Sequence, residues 1–430
     1  MTVIDLGELR DDVGPEPPRR PPRAVGRPLR VAVVLVLALS VLAGAAPAVP
    51  RAAFVVPARL GASALLHGEQ VFLLEPGDNP TGGVFRLSAW TVPASRRTPP
   101  ALRWQVVVPL VDGSGGMRVH ADLLLLTGAS GGPDGVFRTF AFERDTGRLR
   151  WHQPGSGVEA GHDLLFADYG TEGPMLVHSV DPDTGRVRWS APMPPEATSY
   201  RFAADGVDRI VAAPPPGPVE VWDARRGVRL HSAHLDPGGS PSAVHVEVVG
   251  DLLLLVRANA DLITGYGVDG LDRRWEVTLP VPSFFTSCGK LICAMGRAGG
   301  VRALDPATGR TVWSDARWEL AAFERDGRML ASAPGQGIWR PFVVLDTDTG
   351  RVVADLGSWN LAQRTTVDGP LLGARLAGRG RVMVAEVDVA AARARVLDVL
   401  PAVSGDCQAD ADLLLCRLVD GAYGVWRLPR

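Results

Sequence analysis

The residues able to do chemistry are few and scattered. Four cysteines fall in two close pairs, Cys288 and Cys293 in "SCGKLIC", and Cys407 and Cys416 in "CQADADLLLC". An even number at such short spacing suits disulfide chemistry in an oxidising compartment. Each stretch sets one cysteine ahead of a tight turn and the other on the apolar run that follows, which favours the bonds Cys288 to Cys293 and Cys407 to Cys416. Pairing across the two stretches, or thiols left reduced, are the alternatives. Zinc would need four converging ligands; no C-x-x-C spacing occurs, and no metal site is expected.

Other catalytic chemistries find little footing. The eight histidines are dispersed, and the closest pair, His231 and His234 in "LHSAHLD", reads as a polar contact at a strand end. No HExxH motif, GxSxG elbow or phosphate loop is present. The glycine-rich runs "GSGGM" (113–117) and "GASGGPDG" (128–135) lead into no helix, so they read as loops rather than phosphate cradles. Glu143, Asp183 and Asp348 are the carboxylates to inspect for acid–base work, although each sits in a turn. No catalytic residue is assigned.

The elements that hold these residues are short strands. Apolar runs of four to six residues, among them "DLLLL" at 122 and 251, "KLICA" at 290 and "DLLLC" at 412, are bounded by Gly, Pro or Asp. After most of them comes a strand, a tight turn and a further strand. The clearest copies of this turn are "AFERDTGRLRW", "SVDPDTGRVRW" and "ALDPATGRTVW", ending at Trp151, Trp189 and Trp313. Looser copies end at His231, Trp275 and Ala354, and the successive intervals are 38, 42, 44, 38 and 41 residues. A period near 40 with several short strands per unit is that of a β-propeller blade, so the fold class is all-β: a single propeller of four-stranded blades.

The turn itself has a physical logic. Gly147, Gly185, Gly309 and Gly350 follow a threonine where the chain needs a positive φ, which glycine adopts without a Cβ clash. Asp181, Asp305 and Asp346 precede the turn, where a carboxylate accepts open backbone N–H groups. Trp151, Trp189, Trp275 and Trp313 fall on the next strand, where an indole can bury against the neighbouring blade. His231 and Ala354 in the same slot predict two weaker junctions. Arg148, Arg186, Arg310 and Arg351 each follow a turn glycine and would share one face, as solvated tips or as a basic ring for acidic partners.

The pattern Ala-x-Asp-x-x-Thr-Gly-Lys/Arg-x-x-Trp resembles the tryptophan-docking motif of the PQQ-like, quinoprotein and BamB-like β-propellers. "ALDPATGRTVW" matches every fixed position, and the resemblance spans residues 60–430. It implies eight blades, whereas the strand pairs counted along this chain come to nine, which leaves eight or nine blades open, with "RAAFVVPARL" at 51–60 available to complete the last one. The family includes quinone-dependent dehydrogenases and non-enzymatic envelope scaffolds. The dehydrogenases would imply calcium ligands, an aspartate base and a disulfide between adjacent cysteines; no Cys-Cys dipeptide exists here, and no cofactor is expected.

Composition bounds the setting. Hydrophobic residues make up 46% and charged residues 21%, with 49 Gly and 36 Pro, which is globular and turn-rich. A formal net charge of −2 offers no basic surplus for a phosphate backbone, so nucleic acid is not an expected partner. Residues 1–30 are polar, proline-rich and arginine-terminated, and read as a disordered cytoplasmic tail. Residues 31–49, "VAVVLVLALSVLAGAAPAV", are uncharged and long enough to span a bilayer, with a cleaved signal peptide as the rival reading. The arginines before them place the N-terminus inside and residues 51–430 outside. The expectation is a membrane-anchored, monomeric, extracytoplasmic propeller without catalysis that holds an envelope protein, peptide or glycan; the alternative is a propeller enzyme, a PQQ-dependent dehydrogenase or a glycan-active hydrolase or lyase.

Overall fold

The computed structural model describes residues 54–429, apart from short stretches at 78–83, 95–97, 109, 111–115, 131–136, 171–173, 215–216, 236–243, 258–260, 336–337, 366–368 and 379. Contacts divide the chain into Met1–Pro50 and Arg51–Arg430. The expected tail (1–30) and transmembrane helix (31–49) lie outside the described residues. No helix among the described residues is long and apolar enough to cross a membrane.

Strands account for nearly all of the regular structure, and the one helical element described is a single 3-10 turn, Pro195–Ala197. The strands form nine units of antiparallel pairing, at 63–108, 116–154, 156–193, 198–233, 244–278, 282–315, 320–361, 360–401 and 403–427, numbered 1 to 9 below. Burial explains why the apolar runs become the second strand of each unit. In unit 2, Leu123, Leu124, Leu125 and Leu126 are all essentially inaccessible, because neighbouring units cover both faces of that strand. The fourth strand is the solvated one; Val228–Ala233 of unit 4 is exposed along nearly its whole length.

The core is divided in the same way. Nine apolar clusters occupy the nine interfaces between successive units, including that between unit 9 and unit 1. In the first interface Phe72, Leu74, Leu87 and Trp104 of unit 1 meet Leu124, Leu126, Phe140 and Phe142 of unit 2. The ring is therefore closed, with nine units rather than the eight implied by the family resemblance. Closure uses the strand anticipated for it: Phe54–Val56 pairs antiparallel with Tyr423–Arg427 and supplies the fourth strand of unit 9. Side chains of unit 9 then clasp the backbone of unit 1. Gln408 accepts from Leu66 N–H at 3.0 Å and donates to Ala64 C=O at 2.7 Å, while Asp410 accepts from Gly68 N–H at 2.7 Å.

Unit 8 departs from the pattern. Strand Val352–Leu361 serves unit 7 as its outer strand up to Trp359, which pairs with Arg340. Only its last two residues, Asn360 and Leu361, pair with unit 8, opposite Ala374 and Gly373. Gln363 and Arg364 then run parallel to Gln408 and Ala409 of unit 9. Unit 8 thus has a two-residue inner strand.

Candidate functional site

The recurring turns assemble into interlocks between units. Gly147, Gly185, Gly309 and Gly350 have φ of 70°, 71°, 69° and 68°, as the turn demands. Asp181, Asp305 and Asp346 each accept backbone N–H groups within their own turn at 2.7–3.2 Å. The tryptophan of each unit lies on the turn glycine of the following unit. A Cβ added at Gly185 would meet the Trp151 ring at 2.5 Å, at Gly309 the Trp275 ring at 2.5 Å, and at Gly350 the Trp313 ring at 2.6 Å. Each indole N–H also donates to a carbonyl of that turn: Trp151 to Pro182 at 2.7 Å, Trp275 to Pro306 and Trp313 to Thr347, both at 2.8 Å.

Two further indoles extend the series: Trp104 has no such turn of its own, and Trp189 lies on a turn that departs from the motif. Trp104 of unit 1 sits on Gly147 and donates to Arg144 C=O at 2.9 Å, and Trp189 sits on Gly227 and donates to Arg225 C=O at 3.2 Å. The Arg-Trp dipeptide that Trp104 shares with Trp151, Trp189 and Trp275 was the available signal.

The candidate carboxylates do not converge. Glu143 accepts hydrogen bonds from Arg148 and Thr146, which hold its carboxyl at about 2, so it stays ionised as a turn residue. Asp183 and Asp348 are exposed on the turns of units 3 and 7. His231 and His234 are exposed at the outer edge of unit 4. Among the described residues no group of three His, Cys, Asp or Glu is placed to hold a metal ion. Of the arginines after the turn glycines, Arg148 pairs with Glu143, while Arg186, Arg310 and Arg351 are exposed without a carboxylate partner among the described residues. The disulfides are Cys288 to Cys293 and Cys407 to Cys416, each joining the first two strands of one unit.

A cleft of about 510 Å³ opens beside the ring closure. Its walls come from the first strands of several units: Ser63 to Leu65, Met117, Asn360, Leu361 and Gln363, and Asp406 to Gln408. Arg417 is its fixed charge. Its guanidinium lies 4.6 Å from the Tyr423 ring centroid and donates to the Tyr423 hydroxyl, the Ala62 carbonyl and, at 3.2 Å, to Asp406. Burial pushes the Tyr423 phenol up, so it stays protonated and donates to Ala62 C=O at 3.0 Å. The Cys407–Cys416 bond forms part of the wall and ties down a strand distorted by two register shifts. Amides, the Ser63 hydroxyl, the Asp406–Arg417 pair and apolar side chains make a surface that can recognise a chain by hydrogen bonding and contact.

Residues 138–283 match the family described as "Outer membrane protein assembly factor BamB". That stretch resembles a PQQ-like repeat, and the nine units closed into a ring make the described chain a β-propeller. Solved structures match at low identity. BamB from Moraxella catarrhalis is 12% identical with a TM-score of 0.41, covering 88% of this chain and 98% of its own. Sqt1 from Saccharomyces cerevisiae is 11% identical with a TM-score of 0.46, covering 88% and 100%, and a europium-containing methanol dehydrogenase is 12% identical at 0.44, covering 87% and 85%. No curated protein matches the sequence.

Proposed function

We propose that the protein is a non-enzymatic scaffold of the cell envelope, anchored by residues 31–49 with its propeller on the extracytoplasmic side, where it holds a protein partner. The observation that carries this reading is the cleft at the ring closure. Its one arginine is already engaged by Tyr423, Ala62 and Asp406, and its remaining polar side chains are the Ser63 hydroxyl and the amides of Asn360, Gln363 and Gln408, a set that suits recognition by hydrogen bonding. Two hairpin disulfides favour an oxidising compartment. The match of residues 138–283 to an assembly-factor family supports a protein as the ligand ahead of a glycan.

The test is crosslinking in intact cells expressing the full chain, with affinity capture and mass spectrometry and with residues 1–50 alone as control. Recovery of one envelope protein that depends on the propeller is expected. A capture profile indistinguishable from the control would overturn the scaffold reading.

A further inference from the structure

Among the described residues, unit 8 leaves a sheet edge open. In the other units the first strand pairs along most of the second; in unit 5, for example, all six residues of Val244–Val249 are paired with Leu252–Arg257. In unit 8 the second strand, Leu372–Gly378, has an inner partner only through Ala374, because the chain before Asn360 is still the outer strand of unit 7. Among the described residues nothing pairs with the inner edge of Arg375, Leu376, Ala377 and Gly378. Leu372 C=O accepts from Ala362 N–H at 2.8 Å, so the alternation of the strand aims the N–H and C=O of Leu376 toward the same vacant position. The Leu376 side chain is 63% exposed. An open, solvent-accessible edge of this kind is a template for strand addition.

The charges around the edge have one sign. The segment "ARLAGRGR", residues 374–381, carries three arginines and no carboxylate. Register sets Met383 opposite Arg375 and Arg381 opposite Gly378, which puts Arg375 and Arg381 on one face of the hairpin. Arg375 lies over the Trp359 ring at 4.6 Å, and neither arginine has a carboxylate partner among the described residues. Asn360, which ends the vacant position, also lines the closure cleft.

We infer that this edge is a docking site for an extended acidic peptide segment of the partner, which adds as the missing inner strand of unit 8 with its carboxylates toward Arg375 and Arg381. The inference rests on the scaffold reading and names the part of the partner that is held. Main-chain hydrogen bonds to Leu376 set the register, and the arginines select for negative charge.

The probe is a fluorescent peptide of alternating Glu and Val titrated by anisotropy against the full chain in detergent. Alternating Lys and Val, and the Glu-Val peptide N-methylated at alternate amides, are the controls. The Glu-Val peptide alone is expected to bind, and Arg375→Glu with Arg381→Glu to weaken it at least roughly tenfold while near-UV circular dichroism stays unchanged. Absence of binding, equal binding of the N-methylated peptide, or indifference to the arginine reversal each overturns the site. A photocrosslinking residue replacing Leu376, and separately Tyr169, separates this failure from that of the scaffold reading. Partner capture from Tyr169 alone sinks the edge and keeps the scaffold, whereas capture from neither position sinks both.

Discussion

Five junctions of the ring, from unit 1 to unit 4 and from unit 5 to unit 7, are closed by an indole lying on a glycine of the next unit. The junctions between units 4 and 5 and between units 7 and 8 are not. In the first of these the tryptophan slot holds exposed His231, and the turn it would cover carries Leu271 at φ 55°, 7% exposed and packed with Val219 and Val221. In the second the slot holds Ala354 and the following turn carries Ala392 at φ 51°. Where the tryptophan is missing the glycine is missing too. An L-residue evidently bears this positive φ at a cost of about 1–2 kcal/mol. Glycine is therefore demanded by the neighbour's ring as much as by its own backbone.

What replaces the lock differs between the two. The junction of units 4 and 5 is spanned by ions: Arg201 reaches Asp208 at 2.6 Å, Asp251 at 3.2 Å and Asp269 at 3.1 Å, and Arg209 meets Asp269 at 3.0 Å. The Arg201 and Asp208 side chains are only 11% and 18% exposed, so that pair is poorly screened, whereas Asp251 and Asp269 are open to solvent. Between units 7 and 8 the Arg328 guanidinium donates to Ala390 C=O at 2.5 Å, beside the cluster of Trp359, Phe342 and Val387.

The contrast can be broken by mutation. Trp275→Ala should cost about 3–5 kcal/mol in denaturant unfolding. Gly309→Ala should cost about 2–4 kcal/mol alone, from overpacking and strained φ together. In the Trp275→Ala background the same change should cost no more than about 1 kcal/mol, since only the φ penalty is left. Additive costs would show that the ring is not what the glycine serves.

Arg201→Met should cost about 3 kcal/mol by leaving Asp208 only its longer contact with Arg209 at 3.4 Å, with hydrogen-exchange protection lost at units 4 and 5 alone. The same junction is the acid-labile one. Hydrogen bonds from Arg201 hold Asp208 below the usual carboxylate range, so its stabilisation is full above the unfolded value near 4 and is lost as pH falls through the depressed folded value. Exchange measured from pH 6 down to pH 3 should open units 4 and 5 before the tryptophan junctions; simultaneous opening would erase the distinction.

Grafting the lock is a milder test. His231→Trp and Leu271→Gly should each destabilise alone, and the double variant should return to within about 1 kcal/mol of the parent. The smallest effect concerns His178 of unit 3, 2% exposed and stacked on Phe166 at 5.4 Å. Burial pushes its pKa down against the opposing Asp168 charge, so the folded state resists the proton that the unfolded chain takes up below about pH 6.5. His178→Phe should then raise the melting temperature more at pH 5 than at pH 7.5.

How far the sequence can be read follows from these residues. The repeats were legible because one turn demands the same aspartate, glycine and tryptophan at a fixed spacing wherever it recurs, as in "ALDPATGRTVW". The closing strand was legible as an apolar stretch left over at 51–60, and the disulfides as close pairs around a turn. The partner of each indole was not, because it lies one unit further on: Trp151 meets Gly185, not Gly147. The ionic bridge at Arg201 and the vacant edge at Leu376 also escaped, since both depend on where strands leave one sheet for the next. A strand such as Val352–Leu361, shared between two units, reads in sequence as a single run.

The closing strand has a consequence in time. Phe54 pairs with Val425, so the last unit cannot be finished until about 370 further residues have been made. At roughly 5–20 residues per second, Phe54–Val56 waits on the order of half a minute for its partner. For that interval the ring is an open arc with unsatisfied edges at both ends. Truncation that removes Tyr423–Arg427 would therefore leave not a slightly shorter ring but an arc that never shuts.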